Sequence, residues 1–153
     1  MVHGSSAIIF AVSVRRISEE GDEPGAPKRR PCLVLDTLTK GSERFVEIAY
    51  GTSAETRANR GYEVIVKKSA ACVTAGLSKP TRFVSARRIV VSVGHSGFHG
   101  RTKGPNVIGR LDGTLLDRMN AVRARIQAEA DIAAYYRAEQ LREKLACEGR
   151  GFR

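Results

Sequence analysis

Hydrophobic positions recur along this chain at two different periods. Ala7–Val14 ("AIIFAVSV") is a continuous apolar, β-branched run and predicts a buried strand. Pro31–Leu38 ("PCLVLDTL") predicts a second strand, with proline at its first position, where a missing N–H matters least. "KGS" at 40–42 predicts a turn. Arg44–Tyr50 ("RFVEIAY") returns as the other hairpin arm, with Phe45, Glu47 and Ala49 alternating against Val46, Ile48 and Tyr50. Tyr62–Lys68 predicts a further strand, and Arg82–Ala86 with Arg87–Val93 predict two short strands or one bent one. The segments between them, 15–30, 51–61 and the Gly-rich 94–109, read as loops.

The period then changes. Thr114–Gly149 holds no proline and no internal glycine, and Leu115, Met119, Val122, Ile126, Ala130 and Ala133 fall on one helical face. Thr114 with Asp117 resembles a capping box, and Gly149 closes the C-terminus. Such a helix is about 50 Å long, more than a small barrel needs. Its second half, with Tyr135, Tyr136, Leu141 and Leu145, is expected to pack on another chain or project into solvent. Short strands without crossover helices imply an antiparallel, partly closed barrel.

The 153 residues suit one domain with one core, and 42% apolar and 27% charged residues are ordinary globular values. No run is long enough to span a membrane, and Ala7–Val14 lacks the positive leader of a signal peptide. Cys32, Cys72 and Cys147 are odd in number and widely spaced, which argues for free thiols in a reducing compartment.

Charge adds a direction. The chain carries a formal +10, and nearly all of it lies in one segment. From Ala54 to Arg110 there are 11 Lys/Arg against Glu55 and Glu63 alone. A basic central segment between balanced ends points to a polyanionic partner, with a solubility surface as the plain alternative.

Four places have candidate chemistry. In "KRRPCLVLD" (28–36), Pro31 restricts Arg30 to extended conformations, so Arg30 is either a solvated lead-in or a pinned cation aimed at a phosphate. "YGTS" (50–53) ends a strand with two hydroxyls, which either cap the next turn or bind phosphate or ribose. "GLSKPTRF" (76–83) sets Lys79, Thr81 and Arg82 beside Phe83, a mixture that suits single-stranded nucleic acid. "GHSGFH" (94–99) holds two histidines, but Gly97 between them and the lack of a third ligand argue against a metal. No paired catalytic carboxylates, phosphate-binding loop or Ser/Cys nucleophile motif occurs.

In order, "KRRPCLVLD", "YGTS", "AGLSKPTRFV" and "IGRLDGTLLDRMNAVRARI" resemble the PemK/MazF family of toxins from bacterial toxin–antitoxin systems, nearest a PemK-like branch, over roughly residues 7–126. The resemblance implies a mainly β fold: an SH3-like, partly closed antiparallel barrel, shared with the Kid and CcdB toxins, with a long C-terminal α-helix. A single domain would fill 1–153, the barrel about 7–111 and the helix about 114–148.

It also implies a cytoplasmic homodimer held in check by a small acidic antitoxin. The activity implied is a metal- and cofactor-independent endoribonuclease on single-stranded RNA, an mRNA interferase. The 2′-OH attacks the adjacent phosphate and leaves a 2′,3′-cyclic phosphate and a 5′-OH. By position Arg30 would stabilise the phosphorane or protonate the leaving oxygen, and Thr52 or its neighbour Ser53 would hold the scissile phosphate. Lys28, Arg29, Arg57, Lys79, Thr81 and Arg82 are the expected RNA contacts. No base is fixed by the resemblance; Glu19, Glu20, Asp22, Glu23 and His95 are candidates. Two other readings use the same barrel: a non-catalytic nucleic-acid-binding module, and a protein-binding toxin of the gyrase-poison type.

Overall fold

The computed structural model describes residues 8–13, 29–95, 98 and 106–151, with side chains at 30–95, 98 and 107–151. Eight elements follow one another: β1 (Ile8–Ser13), β2 (Arg29–Lys40), β3 (Glu43–Thr52), β4 (Glu63–Val66), α1 (Ser69–Thr74), β5 (Thr81–Ser92), β6 (Asn106–Arg110) and α2 (Gly113–Arg150). The strands form one antiparallel sheet in the order β4-β5-β3-β2-β1-β6. The 38-residue α2 is far longer than any strand, so the chain mixes helix and sheet rather than being mainly β as expected.

The predicted hairpin forms about Gly41, whose φ of 62° suits a residue without Cβ. Alternation then sorts the two faces of the sheet. On one face Leu33, Leu35, Ala49, Val64, Val66 and Phe83 build the main core with Met119 of α2. On the other, Cys32, Val46 and Ile48 pack with Phe98. β5 is one bent strand. Its first half pairs with β4 and the end of β3, its second half with the rest of β3, and the ladder is interrupted between Ala49 and Gly51.

The sheet curls until its edges are bridged, and two glycines permit it. A Cβ on Gly76 would lie 1.9 Å from the Ile108 carbonyl oxygen, and one on Gly109 would lie 2.2 Å from the Ala75 carbonyl carbon. The turn after α1 therefore sits backbone-to-backbone on β6, in the gap between the edge strands β4 and β6. Neither α1 nor β6 is foreseen from the sequence. α1 is a six-residue stretch of mostly small side chains, and β6 lies in the Gly-rich run, where pairing with β1 decides it.

α2 is capped by Asp112, whose carboxylate accepts from the Leu115 N–H at 2.9 Å, and not by Thr114 as expected. It ends at Gly151, past the expected Gly149. Met119 and Val122 are buried and Ile126 half-buried, whereas Ala130 and Ala133 are exposed. The helix thus leaves the body after its fourth turn.

Candidate nucleic-acid interface

One end of the sheet collects the starts of β2 and β5 and the ends of β1, β3 and β4. The register there rests on a bulge. From the turn, β2 and β3 pair as Lys40↔Glu43 through Asp36↔Glu47, and an unbroken ladder would set Arg30 across from Ser53. The ladder shifts at Leu35 and resumes as Val34↔Ile48 to Cys32↔Tyr50. Carried two residues past Cys32↔Tyr50, this register sets Arg30 across from Thr52. The intervening pair makes contact, since a Cβ on Gly51 would lie 2.9 Å from Pro31 Cγ. Of the two hydroxyls, the bulge selects Thr52.

The row extends both ways. Arg30 pairs with Val12 of β1, and Thr52 pairs with Arg82 of β5, which pairs with Ile65 of β4. Residues opposite one another share a face, so Arg30, Thr52 and Arg82 lie on the face that also carries Cys32. Arg30 is exposed, and among the described residues its guanidinium has no ion pair or hydrogen bond. Burial pushes the Cys32 thiol beneath it up to about 12, while the Arg30 charge pulls the other way. Cys32 is therefore a neutral packing group. Thr52 Oγ1 accepts from the Ala54 N–H at 3.1 Å, which fixes the first turn of the following loop and leaves the hydroxyl proton available.

The other expected contacts divide. Ser53, Arg57 and Lys79 are exposed in the loops at this end. Thr81 is not: it is buried, its hydroxyl donates to the Lys79 carbonyl, and its methyl group packs on Gly51. Arg82 is half-buried, and its two terminal nitrogens donate to the protein while Nε is buried without a partner among the described residues. Nη1 reaches Glu63 Oε2 at 2.9 Å and the Thr56 and Ala58 carbonyls at 2.9 and 3.2 Å, and Nη2 reaches Thr56 Oγ1 at 2.7 Å. Alternation in "PTRF" carries the signal, because Thr81 must share the inward face with Phe83. Of Arg29 the backbone alone is described, and Lys28 lies outside the described residues.

Two cations at this end were not singled out in the sequence. Lys67 and Lys68 are exposed and follow the last β4–β5 pair, Val66↔Thr81, which places them beside the loop of Lys79. They read as the tail of a strand until α1 turns the chain there.

Among the candidate bases, Glu19, Glu20, Asp22 and Glu23 lie outside the described residues. His95 follows the far end of β5, where Ser92 pairs with Phe45. Seven residues along β3 separate Phe45 from Thr52, roughly 23 Å, which removes His95 from this site within one protomer. A groove of about 770 Å³ lined by Leu38, Phe45 and Phe98 lies at that far end too. Among the described residues, Glu55, three residues beyond Thr52, is exposed and outside any ion pair, while Glu63 at the start of β4 is held by Arg82.

Scanned against family models and against curated proteins, the chain matches none. The site's geometry thus stands by itself. Among the described residues no three His, Cys, Asp or Glu cluster to hold a metal, and no helix is long and apolar enough to cross a membrane.

Proposed function

We propose that this chain is a single-stranded-RNA endoribonuclease of the PemK/MazF toxin type, built on an SH3-like, partly closed barrel. What supports it is the β2–β3 register, which, extended past Cys32↔Tyr50, sets Arg30 opposite Thr52 at one end of the sheet, with Lys67, Lys68 and Lys79 at the same end. A guanidinium with no hydrogen bond or ion pair to a described residue suits the dianionic phosphorane, and a strand-end hydroxyl suits a non-bridging phosphate oxygen. In this reading Glu55, exposed three residues beyond Thr52, serves as general base to the 2′-OH. Arg30 stabilises the charge that develops, and the 5′-oxygen leaves and takes its proton from solvent water. A cytoplasmic homodimer and a small acidic antitoxin that covers the basic end belong to the same reading.

The test is incubation of the purified protein with mixed-sequence RNA in EDTA, followed by end-group analysis. Fragments with 2′,3′-cyclic phosphate and 5′-OH ends are expected, and Arg30→Ala should abolish them without unfolding the protein. An Arg30→Ala protein that cuts at the wild-type rate would overturn the assignment.

The non-catalytic binding reading has one observation in its favour. His95 is remote and Glu63 is tied to Arg82, so few general bases are found near Arg30 among the described residues. That reading predicts steeply salt-dependent RNA binding without cleavage.

A further inference from the structure

β3 and β4 both pair antiparallel with β5, so they run parallel on either side of it, and residues 53–62 must cross over β5 to join them. The crossing is at Arg82. Its guanidinium stands under the loop and donates to the Thr56 carbonyl, the Thr56 hydroxyl and the Ala58 carbonyl, while Glu63, at the far foot of the loop, balances its charge at 2.9 Å. The loop is fastened again where it ends. The Tyr62 carbonyl accepts from the Ser85 N–H, and the Arg125 guanidinium of α2 lies 4.3 Å from the Tyr62 ring centre and donates to its hydroxyl. Arg125 also fills the space a Cβ on Gly61 would need. Between these fixed points stand Arg57 and Arg60, both exposed, with no hydrogen bond or ion pair from their side chains to a described residue.

The geometry points to 53–62 as a pre-ordered phosphate-binding arm for single-stranded nucleic acid, in which Arg57 and Arg60 contact the backbone and Arg82 is a positioning residue that never touches it. The physical reason is entropic. A ten-residue loop that had to order on binding would lose affinity, and the Arg82 fork orders it beforehand. This inference rests on the nucleic-acid reading above.

The test uses the full chain and a fluorescent mixed-sequence 20-mer of 2′-O-methyl RNA, which binds without being cut. Arg57→Ala/Arg60→Ala should weaken binding about tenfold and lower the log–log salt slope by about 1.4, two contacts at ~0.7 each. Arg82→Gln/Glu63→Gln, which removes both buried charges together, should lose a similar factor. It should have no further effect when combined with the Arg57/Arg60 pair. Thr56→Ala, which takes away one hydroxyl and no charge, should give a smaller loss of the same non-additive kind. Trypsin should cut after Arg57 and Arg60 faster in the Arg82 and Thr56 variants than in wild type. Additive losses would mean that Arg82 itself holds RNA, and equal trypsin rates would mean that it does not order the loop; either overturns the inference while RNA binding stands. A wild-type chain that does not bind the probe overturns this inference and the proposed function together.

Discussion

Pro31 packs against Gly51 so closely that glycine is required there. A Cβ would meet Pro31 Cγ at 2.9 Å, Phe83 Cε1 at 2.9 Å and Thr81 Cγ2 at 2.8 Å. The contact sets the spacing between the start of β2 and the end of β3, and with it the spacing of Arg30 and Thr52. Gly51→Ala should therefore cost about 1–3 kcal/mol by overpacking, read from a urea melt. RNA cleavage should fall as well, measured at a temperature where the variant is still folded.

Glu55 gives a sharper test of the chemistry than of the fold. It is exposed and has no ion pair with a described residue, so Glu55→Gln should leave stability within about 0.5 kcal/mol. If Glu55 is the general base, its loss should lower the cleavage rate by about 10²–10⁴-fold while binding of 2′-O-methyl RNA is unchanged. An unchanged rate would return the base to the segment before Arg29.

The sequence and the structure agree where alternation was long enough to count. The β2–β3 hairpin and α2 were legible because each has many residues of one period. What was not legible was the join between them. A register counted from the turn pairs Arg30 with Ser53, and only the bulge at Leu35, a tertiary feature, moves it to Thr52. Arg82 was read as a contact because it neighbours Lys79 and Phe83. The crossover that takes up its donors depends on strand order, which local sequence does not state. β6 has five residues and α1 six, too few for a period to show.

The curl of the sheet brings Gly109 of β6 against the Ala75–Gly76 turn. Gly109→Ala would drive a Cβ into backbone atoms that no rotamer change can move. The expected cost is several kcal/mol, at the high end of single substitutions. Gly113→Ala, with nothing within 4 Å of its Cβ, is the control and should leave the melting temperature nearly unchanged.

Cys32 gives stability a pH dependence with a definite sign. Its folded pKa is raised to about 12, above the ordinary thiol value, by burial. In the unfolded chain the thiol ionises from about pH 8.5, so the contribution is complete below that and is lost as pH rises toward 12. The stability advantage of wild type over Cys32→Val should shrink between pH 8 and pH 11. An advantage that grew over that range would mean the folded thiol is ionised. At pH 8 iodoacetamide should label Cys147, which is exposed, far ahead of the buried Cys32 and Cys72.

The last prediction concerns the half of α2 that leaves the body. Arg125 and Glu129 bind Tyr62, and beyond them Ile132, Tyr135, Tyr136, Leu141 and Leu145 are each more than half exposed. These side chains do not form one stripe. Tyr135 and Tyr136 flank the line of Ile132, while Leu141 and Leu145 fall on the opposite side at 100° per residue. Most helical stability in proteins comes from tertiary packing, which this arm of about 20 residues lacks among the described residues. Amide exchange in dilute monomer should therefore be slow through Val122 and rapid from about Ala133 onward, with the boundary at the Tyr62 contact. If the arm is the homodimer contact, raising the protein concentration should slow exchange in 132–145 in step with the sedimentation coefficient. Exchange in that segment that stayed fast in a demonstrated dimer would place the dimer contact elsewhere on the chain.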